Sequence, residues 1–253
     1  MVSNFNKLLF ILGLCMPQLV IAGFQGSVQT TTTHHENFNM AKDETQAEEE
    51  TVQTVQASLS YYKASSKEFV WVANAYYSYS EYDKYHHLSG SSVTLLGGIF
   101  YRFDESNSMT IKLGKRERNY DDEDLSLYQD DAHFMTLQLS QRLSSTTLLN
   151  EKVKYEENVP KIDSNKYTST QAQIWFVWNL ARSSRLTMGY TQTRRSYDNR
   201  NEEYTFDEPY MNISYNLTRN IFTRIGYSKL KLTDQTGGRA YNKTAYISLG
   251  MGF

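Results

Sequence analysis

The chain is poor in cysteine and in proline, with one and three among 253 residues, and after its opening stretch it has no long apolar run. The lone cysteine, Cys15, sits inside "LLFILGLCMPQLVIA", an apolar run that follows Lys7 and leads to Val20-Ile21-Ala22. That pattern reads as a secretory signal peptide over 1–22, cleaved after Ala22 or Gly23 to leave a mature domain over 23–253. A membrane-anchoring helix fits less well, because the run is short of ~20 residues and Pro17 interrupts it. Leu14 stands where a lipoprotein cut before Cys15 would want a small residue. Once the segment is removed the protein holds no cysteine, which excludes disulfides and thiol chemistry. No later stretch approaches ~18 consecutive apolar residues, which excludes a helical membrane span. A net charge of −2 argues against nucleic acid as a partner. Mean hydropathy is −0.60, low for a soluble core. It is compatible with a transmembrane β-barrel, whose strands alternate lipid-facing and lumen-facing side chains.

What the sequence does have is tyrosine, 20 of them, and period-two patterning. In "PYMNISYNL", Met211, Ile213, Tyr215 and Leu217 face one way, while Asn212, Ser214 and Asn216 face the other. "MTIKLGKRER" repeats the scheme, with Met109, Ile111 and Leu113 opposing Thr110, Lys112, Gly114 and Arg116. Twelve such segments are expected, at 24–34, 52–62, 68–80, 92–103, 108–118, 132–143, 147–156, 169–180, 185–196, 208–217, 221–232 and 241–253. Their connections alternate strictly between long and short, beginning and ending with long. An up-and-down antiparallel transmembrane barrel has that pattern: short periplasmic turns, long extracellular loops and an even strand number. Lipid offers no hydrogen-bond partners, so the strands must close on themselves, the last pairing with the first. Pro160 is expected in a long loop and Pro209 at a strand start, positions a ladder tolerates.

The final residue, Phe253, resembles the assembly signal that the folding machinery of bacterial outer membranes reads. The stretch over about 171–253 is similar to the beta-barrel porin 2 family in its "GY…RSYD" strand, its "YNLTRN" strand end, its "GYS" strand and its closing phenylalanine. The resemblance implies an outer-membrane barrel, often associated with exopolysaccharide export, with no catalytic residues and no cofactor. The partners it implies are outer-membrane lipid and lipopolysaccharide, the assembly machinery, and a polysaccharide.

Nine basic residues fall on the polar side of their strands: Arg102, Lys112, Arg116, Arg118, Arg142, Lys152, Lys154, Arg195 and Arg224. Facing lipid near the midplane would cost roughly 2–4 kcal/mol each, so they are expected to line the lumen. There they form either a basic path for an anionic substrate or a charge network packed against Glu117 and Glu156. Tyr79, Tyr155, Tyr190, Tyr210 and Tyr227, with Trp178 and Phe103 toward the short turns, are expected to form outward girdles. Trp175, Phe100, Phe134 and Tyr246 are expected inside, as filler or as a stacking track for sugars. "HLS" at His87–Ser89 resembles the His-x-Ser of lipid A deacylating barrels, and His34-His35 and His86-His87 pose a metal question; neither pattern has a third member, so no catalytic or metal site is assigned. Acidic loops such as "DETQAEEE", "YDDEDLSLYQDD" and "NEEYTFDE" either bridge to lipopolysaccharide through divalent cations or form a solvated rim. Glu151 fits badly: beside lipid-facing Leu149, Val153 and Tyr155 it must share their face, unless a bulge shifts the register, or sit at a subunit contact or near the headgroups. A structural or adhesive barrel with a plugged lumen is the main alternative function, an outer-membrane lipid hydrolase the other.

Overall fold

The computed structural model describes residues 23–122, 130–160, 166–198 and 201–253. The expected signal segment with Cys15, most of the "DDEDLSLYQDD" loop and the "KIDSN" loop lie outside the described residues. Twelve antiparallel strands form one closed barrel: β1 (Phe24–His35), β2 (Glu50–Ala64), β3 (Phe69–Tyr82), β4 (Gly90–Arg102), β5 (Asn107–Tyr120), β6 (Asp130–Arg142), β7 (Thr147–Pro160), β8 (Tyr167–Asn179), β9 (Ser184–Tyr197), β10 (Glu202–Asn216), β11 (Ile221–Asp234) and β12 (Arg239–Gly252). Every strand pairs with its sequence neighbours, and β12 returns to β1. Closure leaves no unpaired edge, as hydrocarbon requires.

Alternation sets the two faces. Leu95, Leu113, Val153, Met211, Ile225 and Ile247 are each half or more exposed, on six different strands, and together form a lipid-facing band. The buried polar groups, among them Asn74, Asn150, Glu156, Thr191 and Ser248, point inward. In this molecule the usual rule is inverted: the oily side chains are outside and the polar ones inside, because the solvent around the wall is lipid.

Each periplasmic turn has four residues, at 65–68, 103–106, 143–146, 180–183 and 217–220. All five share one hydrogen-bond pattern, in which the first two N–H groups both donate to the carbonyl that opens the next strand, as Leu143 and Ser144 do to Thr147. In four turns the second residue also accepts two backbone N–H groups on its side chain: Ser66, Asp104, Ser144 and Thr218. That polar residue satisfies donors the turn would otherwise leave open. The fifth turn has Ala181 there.

On the extracellular side, much of the sequence expected to be loop is strand. β10 begins at Glu202 rather than near 208, and β11 and β12 are joined by residues 235–238 alone. Pro209 therefore lies inside β10, not at its start. It pairs with Tyr190 of β9, while the β10–β11 pairing runs to Asp207↔Lys231 and resumes at Tyr210↔Ser228 in the same register. Proline lacks the N–H for that rung, so the ladder skips without slipping. Pro160 is likewise the last residue of β7, opposite Asp130, rather than a loop residue.

β7 contains no bulge. Glu151 pairs with Leu139 on one side and Ile174 on the other in unbroken register, and it is exposed on the outer face. It stands five residues above its turn, roughly 13 Å along the axis at ~3.3 Å per residue and a ~40° tilt. Leu143, Leu180 and Leu217 are exposed at the turns themselves, so the apolar band starts there. Glu151 thus projects near the middle of a band ~25 Å tall rather than near the headgroups.

Candidate functional site in the barrel lumen

All nine basic residues singled out in the sequence fall on the inward positions of their strands, and they occupy three levels. At the periplasmic end Arg102 and Arg142 close β4 and β6, while Arg224 stands a few residues up β11. Arg224 lines a cavity of about 220 Å³ together with Arg182 and Arg185. Those two were not among the nine: one lies in a turn and the other at a strand start, where alternation has too few residues to be read.

At mid-height Lys112, Lys152 and Lys154 line a cavity of about 310 Å³ with Thr110, Thr136, Gln138 and Gln171. Lys112 Nζ donates to Asn74 Oδ1 at 2.8 Å over the intervening strand β4, and Asn74 in turn donates to Ser60 Oγ at 2.6 Å. The next cavity up, about 400 Å³, shares Lys154 and Gln171 with it and adds Arg116, Arg118 and Arg195. The two spaces are therefore contiguous.

Part of the upper charge is answered inside the barrel. Glu156 is 5% exposed and accepts from Arg116 at 3.0 Å and from Lys154 and Tyr167. A buried carboxylate between two cations offsets their mutual repulsion and its own desolvation. Arg195 stacks against the rings of Tyr167 at 4.4 Å and Phe206 at 5.2 Å. Its Nε, and those of Arg116 and Arg224, are buried with no protein acceptor. Glu117, expected in this network, instead faces outward, where it pairs with Lys115 at 2.6 Å. Two residues' displacement from Lys115 keeps it on the same outer face.

The opposite wall is rich in paired hydroxyls. Ser27 and Ser58 meet at 2.7 Å, Thr31 and Ser248 at 2.9 Å, Thr54 and Ser80 at 2.9 Å, and Ser78 and Ser92 at 2.9 Å. The lumen thus has a cationic side centred on β5, β7, β9 and β11 and a hydroxyl side running from β12 through β1, β2 and β3 to Ser92 on β4.

The inward aromatics are placed as expected at Phe100, Phe134, Trp175 and Tyr246, and Tyr210 joins them, contrary to its expected place in the outer girdle. The reason is Gly189: an added Cβ there would lie 2.6 Å from the Tyr210 ring, and Gln173 donates to the Tyr210 hydroxyl at 2.9 Å. Three further cross-strand pairs repeat this arrangement, Phe134 on Gly114, Tyr246 on Gly226 and Phe222 on Gly250, with a Cβ meeting each ring at 2.3–2.8 Å. The rings lie against the wall instead of filling the lumen. Tyr79, Tyr155, Tyr190 and Tyr227 face outward, Tyr79 near the extracellular end of its strand and the other three nearer mid-strand. Trp178, stacked on Phe176, and Phe103, set edge-on to Tyr101, face outward near the turns.

The remaining candidates are not assembled into sites. Ser89 is buried and its hydroxyl accepts the N–H of Tyr82 at 3.1 Å, whereas His87 packs edge-on to Tyr85. His34 and His35 are neighbours on β1 and so point to opposite faces. Among the described residues no group of three metal-ligating side chains converges. Of the acidic loop segments, Asp43 and Glu50 are spent on the backbone: Asp43 accepts from Thr45, and the almost fully buried Glu50 accepts the N–H groups of Asp83, Lys84 and Tyr85.

No protein-family model and no curated protein matches the chain. Solved structures do. An outer-membrane channel from Pseudomonas putida F1 superposes with a TM-score of 0.70 at 12% identity, covering 93% of this chain and 97% of that one. The NanC porin gives 0.58 at 8% identity over 88% and 98% of the two chains, and the KdgM porin 0.52 at 8% over 90% and 99%. At such identities the likeness is one of fold. The closed twelve-stranded barrel with its lipid-facing band is the fold of bacterial outer-membrane proteins, and the bacterial outer membrane is where this chain resides.

Proposed function

We propose that the barrel is a porin-like channel that passes anionic solutes, with acidic oligosaccharides or an exported exopolysaccharide chain as the favoured class. The observation that carries this reading is the two-sided lumen. Cations at three levels draw in carboxylates by long-range attraction, and the facing serines, threonines and amides suit sugar hydroxyls. Twelve strands leave a lumen between the filled interior of ~8 strands and the open channel of 16–18, wide enough for one extended chain. Aromatic rings laid on glycines preserve that width. The KdgM porin has been solved in complex with disordered oligogalacturonate, an acidic oligosaccharide, and shares the fold. The resemblance of residues 171–253 to the beta-barrel porin 2 family points the same way, toward polysaccharide export.

The test is single-channel conductance in planar bilayers, with oligogalacturonate and a neutral oligosaccharide of equal length as blockers. Block by the anionic sugar at concentrations at least tenfold lower is expected, with the difference lost in K112Q/K152Q. Equal block by the two sugars would overturn the anionic reading, and absence of any conductance would favour a plugged scaffold.

A further inference from the structure

The outer face of β11 and β12 has a feature the channel does not explain. Lys229 and Lys243 stand directly opposite one another in the ladder, and Lys231 and Arg239 lie on the same two strands. Like charges facing each other across a strand pair are destabilising. Neither strand carries an acid on its outward positions: on β11 these are Ile221, Thr223, Ile225, Tyr227, Lys229, Lys231 and Thr233. Flanking strands answer only part of the charge. Glu36 holds Lys243 at 2.8 Å. Asp207 lies 3.8 Å from Lys231 but is already engaged by the Tyr190 hydroxyl at 2.5 Å and by Gln192 at 3.1 Å. Lys229 lies 5.1 Å from the ring of Tyr241 and is exposed. By contrast Lys115, at comparable height on β5, is bracketed by Glu117 at 2.6 Å and Asp131 at 3.0 Å.

Height identifies what the patch meets. Lys229 is the ninth residue above its turn, roughly 23 Å along the axis by the same rise and tilt, at the outer edge of a band ~25 Å tall. Tyr227 and Tyr241, exposed beside it, mark the membrane–water boundary. Two opposed ammonium groups at that boundary form a cradle for an anion with several oxygens. A phosphate between them converts a repulsive pair into two charge-assisted bonds.

We propose that Lys229, Lys231 and Lys243 form a binding site for a phosphate group of outer-leaflet lipopolysaccharide, with Arg239 above them and Tyr241 against the sugar. The site is on the lipid side of the wall and is independent of what passes through the lumen.

The experiment uses the full chain folded into bicelles doped with lipid A carrying both phosphates, or with the same lipid dephosphorylated, and measures lipid retained by native mass spectrometry. The wild-type protein is expected to retain the phosphorylated lipid at least tenfold better. K229Q/K231Q/K243Q should lose that preference while still showing the gel shift of a folded barrel, K229R/K243R should keep it, and K115Q should leave it unchanged. Equal retention of the two lipids by the wild-type protein, which requires no variant to fold, would overturn the site. So would an undiminished preference in the folded triple variant, or an equal loss in K115Q. Added inorganic phosphate at millimolar concentration is expected to compete only weakly; full displacement by it would assign the site to a free anion instead.

Discussion

The ring of Phe253 lies across Gly26, the residue it pairs with where the barrel closes. The two backbones exchange both hydrogen bonds, at 3.0 and 2.9 Å. A Cβ on Gly26 would lie 2.0 Å from the ring. The Phe253 ring therefore seals the seam between β1 and β12, and it needs a residue without a side chain to do so. Gly26→Val is expected to cost about 1–3 kcal/mol through overpacking, read as a lower urea midpoint for the folded band on unheated gels. Phe253→Ala in the same chain should recover part of that loss, because both changes act on one contact. Additive losses would show that ring and glycine are not coupled.

Glu151 projects into lipid between Leu139 and Ile174. Carboxyls at such a position cost less than the ~2–4 kcal/mol of Lys or Arg. Glu151→Leu is expected to raise stability in bilayers by on the order of 1 kcal/mol, measured by equilibrium unfolding in large vesicles. A loss of stability, or a change of oligomeric state in the variant, would instead assign Glu151 to a protein contact.

Glu156 holds Arg116 and Lys154 together in the upper lumen. Glu156→Gln leaves two cations without their shared counter-charge. Breaking a buried pair costs about 3–5 kcal/mol in a dry core; in a wet lumen a loss of roughly 1–2 kcal/mol is expected. The reversal potential in a salt gradient should shift toward anion selectivity, since one negative charge leaves the path. An unchanged reversal potential would place Glu156 outside the conduction route.

Ala181 occupies the turn position at which Ser66, Asp104, Ser144 and Thr218 accept backbone N–H groups. Ala181→Ser supplies the missing acceptor and is expected to stabilise the barrel by about 0.5–1 kcal/mol, read as a raised unfolding temperature. No gain would mean that those donors are already served, as the Ser184 N–H is by the Ala181 carbonyl at 3.4 Å.

Asp104 accepts from Asn107 and Ser106, which holds its carboxyl below the ordinary range. A depressed folded value means the turn is supported above the unfolded value near ~3.9 and loses that support as pH falls through the folded one. Amide exchange at Ser106 and Asn107 should accelerate only well below pH 4. A titration at or above the ordinary aspartate value would refute the contact.

Period-two patterning was enough to find twelve strands, because a lipid-facing wall punishes every slip of register with a polar side chain in hydrocarbon. For the same reason the inward placement of Arg102, Lys112 and Arg195 could be read from neighbours two residues away. Patterning weakens above the membrane, where both faces meet water. There β10 extends six residues past its expected start, and Glu117, expected inside, points out to Lys115. Tyr210 departs from its expected place for a different reason: a tyrosine suits either face, and Gly189 on the neighbouring strand makes a bed for it inside.

What a single strand carries in its own residues, its existence, its direction and which side chains it shows to lipid, is local and follows from the chain order alone. Which side chains meet beyond a strand's immediate neighbours is not local. Asn74 reaches Lys112 over β4, and Arg116 reaches Glu156 over β6, only because register and stagger bring next-but-one strands to common heights, and the division into a cationic side and a hydroxyl side is a property of the circumference, which exists only once Phe253 has met Gly26.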